Sequence, residues 1–97
     1  MLMVYKYPIS RAGRFRLVIP GFQGVALVGM QEGLPHFWAF ADPEEEDEEH
    51  WFILVGTGQP VHEGVVWQGS FLAPPFVWHL FEEVYQVDRV DVVEEVV

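Results

Sequence analysis

Along this chain, short stretches that alternate apolar and polar residues, or run apolar outright, recur about every eight to twelve positions. Each is closed by glycine or proline, which is the rhythm of strands rather than of helices. Trp51 to Gly58 (WFILVGTG) is an unbroken apolar run closed by Gly-Thr-Gly, with Pro60 behind it, and reads as a strand at the middle of a sheet. Met3 to Tyr7 reads as a strand that Pro8 confines to an edge or ends, because proline cannot donate to a ladder. Arg14 to Ile19 alternates, with Phe15, Leu17 and Ile19 on one face and Arg14, Arg16 and Val18 on the other.

Gly24 to Met30 is apolar on both faces and is expected to be central. Gln31-Glu32-Gly33 can take the positive φ of a tight turn, with His36 to Ala41 as the return strand. There Trp38 and Phe40 point one way and Phe37 and Ala39 the other. Asp42-Pro43 opens an acidic loop, residues 42–50, holding Glu44, Glu45, Glu46, Asp47, Glu48 and Glu49, whose mutual repulsion keeps it extended and wet. His50 to Val55 is expected to pair with residues 36–41, which makes the acidic run the tip of a long hairpin and brings His36 and His50 face to face.

Gly56 to Gly64 cannot sustain a ladder and reads as irregular. In Val65 to Leu72 the alternation puts Val65, Trp67, Gly69 and Phe71 inside. Ala73-Pro74-Pro75 turns the chain into Phe76 to Phe81, with Phe76, Trp78 and Leu80 on one face. About seven short antiparallel strands with no helical pattern predict an all-β domain, a small barrel or a two-layer sandwich, over residues 1–83. Its expected core is Phe15, Leu17, Leu27, Trp38, Phe40, Phe52, Leu54, Trp67, Phe71, Trp78 and Leu80. Residues 84–97 form a valine-rich acidic tail, read as an edge strand, a frayed end or an arm that adds to a neighbouring subunit's sheet.

At 97 residues the chain makes one domain, and the absence of cysteine excludes disulfides and thiolate metal sites. The net charge of -10 is unevenly spread. Residues 1–41 hold four bases against Glu32, a sum of +3, and residues 42–97 hold 14 acids against Arg89, a sum of -13. Such a chain is repelled by phosphate backbones and anionic membranes, so neither direct nucleic-acid binding nor membrane binding is expected. With no long apolar span and no signal-peptide pattern at its start, a cytoplasmic location is expected. Asn is absent and Thr57 is the single threonine, which suits a thermophilic source and ordinary codon bias alike.

Little in the sequence carries catalytic chemistry. Gly56-Thr57-Gly58 lacks the third glycine and the following helix of a dinucleotide loop and the Gly-Lys-Ser/Thr of a P-loop, so it reads as a β-bulge or a tight strand exit. The four histidines have no zinc spacing. His79, beside Val77 and Phe81, reads as a hydrogen-bonded core or rim histidine. Neither Ser10 nor Ser70 occupies a nucleophile elbow. Glu82-Glu83 reads as exposed, and the acidic loop lacks the glycine and Asp/Asn positions of an EF-hand. No catalytic residue, metal or cofactor is therefore expected.

The strings KYPI (6–9), HFWAFADP (36–43), FILVGTGQPV (52–61), WQGSF (67–71) and FVWHLFE (76–82) occur here in an order and spacing that resemble a family of small uncharacterised proteins of bacteriophages and prophages. The resemblance covers about residues 5–83. Gln59 stands where relatives often carry histidine, Trp67 where tyrosine is usual, and Ala73-Pro74-Pro75 replaces a glycine-rich turn. The resemblance implies a phage accessory protein acting in the infected host's cytoplasm and brings no catalytic residues with it. Three functions remain open. The first is a non-enzymatic binder of a host or phage protein, working through Glu44 to Glu49 as an inhibitory mimic of nucleic acid or carrying them only for solubility. The second is a self-assembling or virion-associated protein that uses the tail or a sheet edge. The third is a small-ligand binder or enzyme near Gly56 to Gly64.

Overall fold

The computed structural model describes residues 1–84. Within them the chain forms seven antiparallel strands and no helix: β1 (Met3–Pro8), β2 (Gly13–Pro20), β3 (Val25–Gln31), β4 (Leu34–Ala41), β5 (Asp47–Gly56), β6 (Val65–Ala73) and β7 (Phe76–Glu83). They make two separate sheets, ordered β1-β4-β3 and β2-β5-β7-β6, which pack on each other without closing into one barrel. The readings placed on residues 85–97 lie outside the described residues.

The core forms where the two inner faces meet. Phe37 of the three-stranded sheet touches Phe52 of the four-stranded one, ring centroids 5.1 Å apart, and Phe52 also stacks on Phe15 at 5.6 Å. Ile9, Ile19, Val28, Ala39, Ala41, Leu54, Phe71 and Leu80 complete the buried cluster, with Leu17 and Trp78 partly buried against it. Each buried Phe, Leu, Ile or Val among them contributes roughly 1.5–3 kcal/mol by leaving water. Phe37, Ala39 and Ala41 together make the inner face of β4, all fully buried.

Several expectations are corrected. β5 does not pair with β4, because β1 and β3 already occupy both edges of β4; its neighbours are β2 and β7. The 42–46 segment therefore crosses between sheets rather than capping a hairpin. It is fastened there by Asp42 N donating to Pro20 O at 3.0 Å and Gly21 N to Glu46 O at 3.2 Å. Gly21 has φ 53°, and a Cβ there would lie 2.8 Å from Asp42 Cβ, so only glycine fits this crossing. His36 and His50 consequently belong to different sheets. The acidic run itself is half ladder, since Asp47, Glu48 and Glu49 open β5 opposite Pro20, Ile19 and Val18.

β3 is an edge strand rather than a central one. Four residues assigned to the core lie elsewhere. Trp38 and Phe40 occupy the outer face of β4, because Phe37, Ala39 and Ala41 take the inner one. Leu27 and Trp67, 59% and 60% exposed, each stand at a register shift, between Val25 and Leu27 in β3 and between Trp67 and Gly69 in β6. A bulge inserts one residue and inverts the alternation, so Val28 and Phe71 face inward while Leu27 and Trp67 face out. Phe76 too is exposed, at the turn before β7. The β3–β4 turn at Glu32 (φ 55°) and Gly33 (φ 81°), and the edge position of β1, agree with the sequence.

Candidate functional site

The outer face of the four-stranded sheet carries Val77, His79, Phe81 and Glu83 from β7, beside Trp51, Ile53 and Val55 from β5 and Arg14 from β2. The segment 57–64 is tied to this face, so Ile53 and Val55 are buried although they belong to no part of the inter-sheet core. At the far end of β7, Val84 N donates to Gly64 O at 2.8 Å. Glu83, 1% exposed, accepts a hydrogen bond from Arg14 Nε at 2.8 Å and lies 3.2 Å from His62 Nε2. The Arg14 guanidinium also lies 3.7 Å above the Trp51 ring, a cation–π contact that fixes its orientation. A carboxylate this deep persists because the Arg14 guanidinium donates to it directly. The reading of Glu83 as exposed is thus corrected: loop 57–64 covers it, a tertiary event that the local sequence does not announce.

Four residues back along β7, roughly 13 Å at 3.3 Å per strand residue, His79 holds the other end of the same loop. Its Nε2 is 2.8 Å from Thr57 Oγ1 and its Nδ1 2.7 Å from Ser70 Oγ, which also accepts from Trp67 Nε1 at 3.0 Å. Thr57 N donates to Val77 O, and Gln59 closes the strand exit, its amide N on Gly56 O and its Oε1 accepting from Gly56 N at 2.7 Å. Gly56-Thr57-Gly58 is therefore a tight exit, Gly58 at φ 93°. A neutral imidazole satisfies both hydroxyls in either tautomer. His79 has the shape of a clamp between loop and sheet, the hydrogen-bonded rim histidine read from the sequence.

The acidic residues divide into engaged and open ones. Asp42 Oδ1 accepts from the Met1 amino group at 3.1 Å and from Glu44 N at 3.0 Å, which holds its carboxyl below the usual range, the Glu44 bond first. Glu49 is likewise lowered, first by its bond from Arg16 and then by Trp51 Nε1. Glu48 and Glu82 bracket His50, 2.9 and 2.8 Å from its two ring nitrogens, with Phe22 packed on the imidazole at 4.5 Å. Glu44, Glu45, Glu46 and Asp47 remain turned to solvent. The run Glu44 to Glu49 thus splits into a wet turn and a paired strand end. Among the described residues no three His, Asp or Glu side chains converge as a metal site.

The outer face of the three-stranded sheet is different. Register aligns Val4 with Phe40, then Lys6 with Trp38 and Leu27, then Pro8 with His36 and Gly29. The result is an aromatic stripe, His36-Trp38-Phe40, with the first two rings 6.3 Å apart, flanked by Val4 at 52% and Leu27 at 59% exposure. Lys6, bonded to Gln31, is the single charged side chain among these positions.

A family model covers residues 1–90, more than nine-tenths of the chain. The chain belongs to DUF7352, a domain of unknown function. No curated protein and no solved structure matches it. The stripe of this DUF7352 domain escaped sequence reasoning because its members were assigned to the core. A signal for it existed: β3 and β4 are apolar on both faces, and a two-layer body covers only one.

Proposed function

We propose that this DUF7352 domain is a non-enzymatic, phage-encoded accessory module that binds a host or phage protein through the stripe on the outer face of its three-stranded sheet. The observation that carries the reading is the stripe itself, Val4, Leu27, Trp38 and Phe40 in register around one lysine on a face that no described segment covers, whereas segment 57–64 covers part of the other sheet's outer face. Large half-exposed aromatics with a few polar neighbours are the composition of partner surfaces. The resemblance over residues 5–83 supports the phage origin. The solvent-facing acids Glu44, Glu45, Glu46 and Asp47 act on encounter rate and selectivity more than on affinity. In this reading the domain acts in the host cytoplasm.

The test is capture from host lysate by wild type, by Val4→Ser/Leu27→Ser, and by a variant with Glu44, Glu45, Glu46 and Asp47 all changed to serine. Capture lost with the stripe variant and kept with the acidic one supports the reading; the reverse pattern overturns it in favour of the acids. A solution mass that falls from dimer to monomer in the stripe variant would assign the face to self-assembly.

A further inference from the structure

Where the β1–β2 connection, the β3–β4 hairpin and the ends of β5, β6 and β7 converge, an open-mouthed cavity of about 270 Å³ runs between the sheets. Its floor is core: Leu54 and Phe71 are buried, and Ile9 is held beside them by its N–H on Pro35 O at 3.0 Å. Trp78 and Met30 form its walls. Arg11 lies at the rim, pinned by Nη2 donating to Arg14 O at 3.1 Å, with its remaining N–H groups available.

The charge of Arg11 distinguishes this rim. Arg14 pairs with Glu83 and Arg16 with Glu49, and among the described residues no carboxylate lies within ion-pair distance of Arg11, although the chain carries 15 acids. An apolar recess with one oriented charged group at its mouth is the usual form of a small-ligand site. We infer that the cavity binds a small anionic amphiphile, a monocarboxylate whose apolar body lies against Leu54, Phe71 and Trp78 and whose carboxylate meets Arg11 and the Ser10 hydroxyl. At roughly 30 Å³ per water-sized group, the space takes about nine heavy atoms. A medium-chain or single-ring acid fits, and a long-chain lipid does not. The site is separate from the stripe, and the inference stands whether or not a protein binds there.

Calorimetric titration with sodium octanoate, octanol and octyltrimethylammonium, each below the concentration at which it aggregates, tests it. Octanoate is expected to bind one-to-one and raise the melting temperature. Arg11→Gln, an exposed and fold-neutral change, should weaken octanoate about tenfold, the scale of one charge-assisted bidentate bond, and leave octanol unchanged. Ala73→Leu, which fills the cavity, should abolish both. Equal binding of octanoate and octyltrimethylammonium, octanoate affinity indifferent to Arg11→Gln, or no binding at all would each overturn the inference.

Discussion

The two outer faces of this sandwich are built from the same material and finished differently. On the four-stranded sheet, segment 57–64 folds back and the face becomes a second small core, with Ile53 and Val55 buried, Glu83 held by Arg14 and His62, and His79 clamped by Thr57 and Ser70. On the three-stranded sheet no described segment does this, and Val4 and Leu27 stay more than half exposed around Trp38 and Phe40. The chain uses its longest irregular described segment to cover the middle of one face, leaving Val18, Trp67, Leu72 and Val77 exposed around it. A continuous apolar stripe that no described segment covers is where association relieves contact with water.

Mutation separates the covered middle of one face from the stripe on the other. The largest expected effect is Ile53→Ala, which should lower unfolding free energy by about 2–4 kcal/mol because the cover holds the cavity open, whereas Leu27→Ser should change it by less than about 0.5 kcal/mol. Urea denaturation of both variants checks this, and equal losses would mean that the faces are equally covered. Next is Glu83→Gln, expected to cost roughly 1–3 kcal/mol by replacing charge-assisted bonds with neutral ones. Its companion readout is faster amide exchange at Gly64 and Val84, which a loss confined to the inter-sheet core would not produce. Ser70→Ala should cost about 0.5–1.5 kcal/mol, one hydrogen bond to His79, and loosen Thr57 in the same exchange experiment.

The smallest effect concerns the acidic crossing. Asp42 and Glu49 are held below their ordinary values by Glu44 N and the N-terminus and by Arg16. A carboxyl depressed in the folded state stabilises above its unfolded pKa, and that contribution is lost as pH falls through the folded value. The melting temperature should therefore decline below about pH 4, and less steeply in Glu49→Gln. Burial, then Tyr5, raises Tyr7 above the usual phenol range, so its share of stability is present below about pH 10 and lost above it.

Strand existence was legible because alternation and Gly/Pro punctuation act locally: β5 reads as central from WFILVGTG, and β1 as an edge from Pro8. Three features were not legible, for physical reasons. In β4 both alternations are apolar, so the pattern does not say which one faces in, and the structure buries Phe37, Ala39 and Ala41 while Trp38 and Phe40 take the outer face. At Leu27 and Trp67 the alternation continues in sequence through a bulge that inverts it in space. The pairing of β5 with β2 and β7 depends on which edges are already occupied, and the burial of Glu83 depends on a loop from elsewhere. The stripe and the clamp at His79 both follow from such long-range choices.

Side-chain footprinting by hydroxyl radicals, on the domain alone and with a captured partner bound, tests the central claim most directly. Trp38 and Phe40 should react in the free domain and become protected with Val4 and Leu27 in the complex, while the exposed Trp67 of the other sheet reacts in both and the buried Phe52 and Ile53 in neither. Protection confined to loop 57–64 or to the acidic crossing, with Trp38 and Phe40 unchanged, would contradict it.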